Sequence, residues 1–188
     1  MFNWRRPRVL TFHTVLPARP EPDALFFYAQ PTVREFEDQV RFLRSECTPI
    51  DVDQYLAIVE RRQQAPRRAV LVTLDDGYEH SQLAAQVLAR HEVPSILFLA
   101  VDYIDAHRWT WYLALDWLIE NAAERVATWR DERFELDRLS QRKVFRERFK
   151  TLYLRAPEPE REVLLRSLQS GLGIELPATI PDTHRFLD

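Results

Sequence analysis

Two adjacent carboxylates, Asp75 and Asp76, follow directly on the strand-forming run Val70-Leu71-Val72-Thr73-Leu74 and stand directly before Gly77. Aliphatic and β-branched residues without polar alternation read as a short buried strand. The two acids therefore sit where a strand ends and a loop begins. In sheets of alternating strands and helices, that edge is where chemistry is usually housed. Gly77, one of three glycines in the chain, permits a sharp turn right after the acids. One carboxylate of such a pair can hold a divalent metal while its neighbour takes a proton from an attacking water. The same residues also suit a solvated strand-end turn, because Asp-Gly is ordinary turn chemistry.

Zinc in that role would need about two histidines as further ligands. The chain has five: His13, His80, His91, His107 and His184. No two are four residues apart, so no His-x-x-x-His pair exists. His13 ends an expected strand, as the Asp pair does, and can share its rim. His80 follows Asp76 closely and fits either the site or an exposed first helical turn. His91 and His107 read as surface residues, and His184 falls in an unpatterned tail. Phosphatases with an aspartate nucleophile need their two acids separated by one residue, so adjacent acids argue against that chemistry. Gly-rich phosphate loops, Gly-x-Ser-x-Gly elbows and Cys–His pairs at motif spacing are absent. Trp109, Trp111, Tyr112 and Trp117 could line a sugar groove. Trp109, Leu113 and Trp117 also form one helical stripe, the pattern of core packing.

Several elements must position these groups. Arg8 to Phe12 and residues 69–74 are expected strands, and Phe26 to Tyr28 an extended piece. Thr32 and Glu35 have capping-box spacing ahead of a helix over 33–45 with Val33, Phe36, Val40 and Leu43 on one face. Asp51 can cap a second helix carrying Tyr55, Leu56 and Val59. Glu79 to His91 is a further helix, ended by Val93-Pro94, and Ser95 to Val101 is the next strand. Strand, helix and strand in so short a span form a βαβ unit, which implies parallel strands. Helices are expected at 109–122, 138–155 and 159–170, with Pro157 between the last two and Gly171 and Gly173 after them. Residues 174–188 show no clear pattern.

A length of 188 residues with 46% hydrophobic and 29% charged content suits one soluble domain over 1–188 with a real core. The net charge of −3 gives no overall case for nucleic acid or an anionic membrane. Cys47 is the single cysteine, so no internal disulfide and no cysteine metal site can form. The N-terminal stretch lacks the uninterrupted apolar run of an export signal, and Trp109 to Ile119 is too short to span a bilayer. These features favour a cytoplasmic location.

Thr73-Leu74-Asp75-Asp76-Gly77 resembles the first signature motif of the polysaccharide deacetylases, Thr-Phe-Asp-Asp-Gly at a strand end. Leu10-Thr11-Phe12-His13-Thr14-Val15 is similar to their N-terminal Tyr-His-x-Val segment. Phe36 to Leu43 is similar to their next helix. Ala84 to Leu88 through Val93-Pro94-Ser95-Ile96-Leu97-Phe98-Leu99 resembles their run leading to Val-Pro-Ala-Thr-Phe-Phe, and Tyr103-Ile104-Asp105 and the Trp helix fit one branch. The resemblance covers about residues 8–120 well. It implies an α/β fold, a distorted (β/α) barrel, and metal-assisted hydrolysis of N-acetyl groups, a carbon–nitrogen amide bond, on sugar polymers. It assigns Asp75 as catalytic base and Asp76 as a ligand of a divalent metal, zinc by implication; His13 and Gly77 are the further candidates for the site rim.

The family's second motif, His-Ser/Thr-x-x-His, supplies the other two metal ligands, and it does not occur in this sequence. Nor do the later motifs that carry a groove-wall Arg and a Leu-x-His general acid. The expectation is therefore a partial barrel with its C-terminal strands missing, inactive alone. The alternatives are a non-catalytic binding or scaffolding remnant, or one half of a split deacetylase. Unpaired strand edges would invite self-association or a missing C-terminal half.

Overall fold

Strand β3 (Ala69–Leu74) is buried at every residue and forms the axis of a four-stranded sheet. The structure is a computed structural model that describes residues 6–19, 25, 30–106, 108–129, 132–182 and 184–187. Phe26–Tyr28 and His107 lie outside the described residues. The chain divides into two compact units. Unit 1 comprises Met1–Arg19, Gln30–His107 and Asp182–Asp188, and unit 2 comprises Pro20–Ala29 and Arg108–Pro181.

In unit 1, β1 (Arg8–Phe12) runs parallel to β3 along one edge, from Arg8 opposite Val70 to Phe12 opposite Leu74. The other edge of β3 is shared. Strand β2 (Thr48–Pro49) pairs with Ala69 and Val70, and β4 (Ser95–Leu97) pairs with Val72 to Leu74. All pairings are parallel, which explains the continuous apolar character of β3. The helices are α1 (Val33–Glu46), α2 (Val52–Val59), α3 (Ser81–Arg90) and α4 (Val101–Ala106). Helix α1 starts where its capping box predicts. The Glu35 N–H donates to Thr32 Oγ1, and the Thr32 N–H donates to Glu35 Oε2 at 2.8 Å. It buries Phe36, Val40 and Leu43 against Val70, Val72 and Leu74 of the sheet and Val87 and Leu88 of α3. Asp51 caps α2 in the same way through Gln54.

The described strands form an open sheet, and no closed barrel is present among the described residues. Strand β4 is also shorter than the expected 95–101. After Leu97 the Phe98 N–H still donates to Leu74 O at 2.8 Å. Beyond Leu74 one further contact follows, from the Ala100 N–H to Asp76 O at 3.1 Å, and Val101 begins α4. The tail has structure as well. Leu187 and Arg185 exchange backbone hydrogen bonds with Gly77 and Glu79, and Phe186 bridges to Tyr78.

Unit 2 contains α5 (Trp111–Glu120), a hairpin of β5 (Val126–Trp129) and β6 (Glu132–Glu135), α6 (Leu139–Arg155) and α7 (Glu158–Leu172). Phe145, Phe149 and Tyr153 recur every four residues on α6 and enter a core with Leu115, Leu118, Trp129 and Phe134. Gly173, at φ +65°, ends α7 in the left-handed position, whereas Gly171 lies inside the helix. No described helix is long and apolar enough to cross a membrane.

Candidate functional site

The hydrogen-bond ladder of β1 and β3 runs one residue past Leu74. The Asp75 N–H donates to Phe12 O at 2.8 Å, which fixes the backbone of the first acid to the end of β1. Its side-chain oxygen Oδ1 is buried and has no hydrogen-bond partner among the described residues. Buried polar atoms are nearly always satisfied by protein, water or an ion, so this oxygen is an acceptor that the described side chains leave open. Thr73, one residue earlier, is tied to Thr11 by a 3.0 Å hydroxyl contact that secures the strand ends to each other.

The next two residues both adopt left-handed backbone, Asp76 at φ +73° and Gly77 at φ +78°. Such geometry is uncommon for a residue with a Cβ, and Asp tolerates it better than most. The turn is held from two sides. Asp76 O accepts from the Ala100 N–H at 3.1 Å, and Gly77 O accepts from the Leu187 N–H at 2.8 Å. A Cβ on Gly77 would stand 2.6 Å from Leu99 Cδ2. Glycine here satisfies both the backbone angle and the close approach of Leu99. Beyond it, Tyr78 is buried and stacks on Phe186 with ring centroids 4.9 Å apart, and Phe186 stacks in turn on Tyr103 at 5.7 Å.

His13 follows β1 as Asp75 follows β3, so the Phe12–Leu74 register puts both at one end of the sheet. The His13 side chain is exposed, and its carbonyl accepts the hydroxyl of Ser81 at 3.2 Å. His80 is half-buried and precedes α3 without making a side-chain cap. His91 was expected at the surface. It is half-buried and bonded to Glu37 at 2.9 Å, and that bond holds the Glu37 carboxyl below its ordinary value. His184, in the tail that showed no pattern, is buried, and desolvation pushes its ring down to about 4.

Among the described residues, no group of three or more His, Cys, Asp or Glu side chains is placed to hold a metal ion. The described residues therefore do not by themselves make up a zinc ligand set, since affinity rests on ligand number and geometry. The aromatic cluster of α5 is packed. Leu113 is fully buried, the Trp109 and Trp117 rings lie 5.9 Å apart, and Trp109 Nε1 donates to Pro177 O.

No protein-family model and no curated protein matches the chain. Among solved structures it is similar to IcaB from Ammonifex degensii, with 28% identity and a TM-score of 0.43 over 50% of this chain and 38% of that one. It is also similar to a de-N-acetylase from Aggregatibacter actinomycetemcomitans, with 14% identity and a TM-score of 0.43 over 70% and 46%. A third is the BpsB deacetylase domain from Bordetella bronchiseptica, with 25% identity and a TM-score of 0.41 over 55% and 40%. The matches span less than half the length of each of these chains.

The tail was the part of the site that sequence reasoning missed. Phe186 is the signal that was available, an aromatic in a Pro-containing stretch with no helical or strand period around it.

Proposed function

We propose that unit 1 is a polysaccharide-deacetylase-type domain, directed at N-acetyl groups of sugar polymers, with Asp75 as its general base. The carrying observation is the orphaned Asp75 Oδ1 at the end of a fully buried parallel strand, within Thr73-Leu74-Asp75-Asp76-Gly77. In that reaction water attacks the acetamide carbonyl carbon and gives a proton to Asp75. The C–N bond breaks, the nitrogen leaves as the amine with the proton that Asp75 had taken, and acetate is released. Asp76 is the carboxylate proposed for a divalent metal, which needs further ligands that the described residues do not assemble. The open sheet corresponds in this reading to part of a barrel, and the chain alone is inactive.

Two measurements test it. The purified chain with added zinc is expected to release no acetate from chitooligosaccharides, and release that vanishes in Asp75→Asn would overturn that expectation. Fusion to a deacetylase segment carrying His-Ser/Thr-x-x-His is expected to produce Asp75-dependent release. A folded fusion that stays silent would remove the deacetylase assignment.

The lack of a three-ligand cluster among the described residues also supports a second reading, a non-catalytic sugar-binding module. Saturable, metal-independent binding of chitooligosaccharide with a silent fusion would favour it.

A further inference from the structure

A concave surface of about 640 Å³ in unit 1 lies at the C-terminal end of α2, where Tyr55, Ile58 and Val59 meet Arg6, Arg61 and Arg62. Its size is ordinary for a small-molecule site. Part of its lining is apolar, and Val59 is 57% exposed there. Three arginines also line it. Arg62 is occupied by Glu60 at 2.6 Å. The side chains of Arg6 and Arg61 have neither a carboxylate nor a hydrogen-bond acceptor among the described residues.

Arginine near a helix C-terminus commonly offsets the helix dipole, and any backbone conformation serves for that. Arg61 instead stands at φ +62°, in the left-handed region that glycine or asparagine normally fills after a helix. The chain keeps a strained arginine where glycine would be more stable. The α2 carbonyls of Ala57 and Ile58 are already taken by the N–H groups of Arg61, Arg62 and Gln63, so they do not satisfy the guanidinium.

We propose that this groove binds an organic phosphate. Two guanidiniums from separate segments match the several oxygens of a phosphate better than the two of a carboxylate. Gln63 and Gln64 also line the groove and offer neutral amide donors. The face of Tyr55, Ile58 and Val59 covers the apolar body that the phosphate esterifies. This site is independent of the deacetylase reading.

Calorimetric titration of the full chain with phenyl phosphate and with inorganic phosphate tests it, alongside flotation with phosphatidylglycerol vesicles. Phenyl phosphate is expected to bind more tightly than inorganic phosphate. Arg61→Gly is expected to weaken that binding by about tenfold, the loss of a charged hydrogen-bond donor. The same variant is expected to raise the thermal midpoint, because glycine relieves the left-handed strain. Arg6→Gln, an exposed change, should weaken binding without that gain. Absent binding of phenyl phosphate, binding unchanged in both variants, or equal affinity for inorganic phosphate would overturn the proposal. Vesicle binding without soluble phosphate binding would overturn it in favour of a lipid headgroup.

Discussion

Leu187 donates its backbone N–H to the carbonyl of Gly77 at 2.8 Å, so the C-terminal segment fastens the turn that carries both aspartates. The Leu187 side chain reinforces the contact, with Cδ1 3.9 Å from where a Cβ on Gly77 would sit. Arg185 O accepts the Glu79 N–H, and Phe186 lies against Tyr78 and Tyr103. Residues more than a hundred positions apart thereby set one loop.

Gly77→Ala is expected to destabilise the chain by about 1–2 kcal/mol. The new methyl meets Leu99 Cδ2 at 2.6 Å, but Leu99 is half-exposed and its end can swing away. The cost that remains is the φ of +78°, which alanine adopts poorly. Urea unfolding should show a lower midpoint with an unchanged slope. A midpoint equal to wild type would contradict the strain argument.

His184 gives the tail a pH dependence. Burial lowers its ring from 6.5 to about 4, so the folded chain prefers the neutral form. Between those values the unfolded chain binds a proton that the folded chain does not. The contribution is complete above the unfolded value and is lost as pH falls through the folded one, about 3 kcal/mol in all. Unfolding midpoints at neutral and mildly acidic pH should diverge in the wild type and converge in His184→Gln. An equal acid loss in both proteins would assign it to other groups.

Local signals carried much of unit 1. Thr32 and Glu35, Asp51 and its helix, and the apolar run into Asp75 each act within a few residues, so their outcome is written in adjacent positions. The hairpin of β5 and β6 was not legible. Its strands are four residues long and set among Glu124, Arg125, Arg133 and Asp137, and their inward side chains, Ala127, Trp129 and Phe134, are defined only by the helices over them. The tail was missed for the same reason, since the partners that order it are Gly77 to Glu79. At the site, the Asp pair was legible as a motif. The orphaned Asp75 oxygen and the left-handed Asp76 were not, because both depend on what surrounds the turn.

Asp51→Ala should loosen the start of α2. Asp51 Oδ1 accepts the Gln54 N–H at 2.8 Å, and Gln54 Oε1 accepts the Asp51 N–H at 3.2 Å. Losing such a cap costs about 1 kcal/mol. Hydrogen exchange should quicken at Asp53 to Tyr55 while β3 amides keep their protection. Uniform acceleration across unit 1 would mean that α2 does not open on its own.

Arg146→Met is expected to be the most damaging single change in unit 2. Asp116 is fully buried in α5, and Arg146 Nε and Nη2 reach its two oxygens at 2.6 and 3.1 Å. Burial already pushes the Asp116 carboxyl up from its ordinary value against the pull of that fork. Without Arg146 the choice is an uncompensated buried charge or a proton, and breaking such a pair costs about 3–5 kcal/mol. A raised folded-state pKa favours the protonated form, so its contribution is present at low pH and is lost as pH rises through that value. The variant should accordingly lose more stability at pH above neutral than in mild acid. Asp116→Asn leaves a guanidinium that is 23% exposed and can turn to water, so it should cost less than Arg146→Met. Equal losses for the two variants, or a loss independent of pH, would show that packing rather than charge governs this contact.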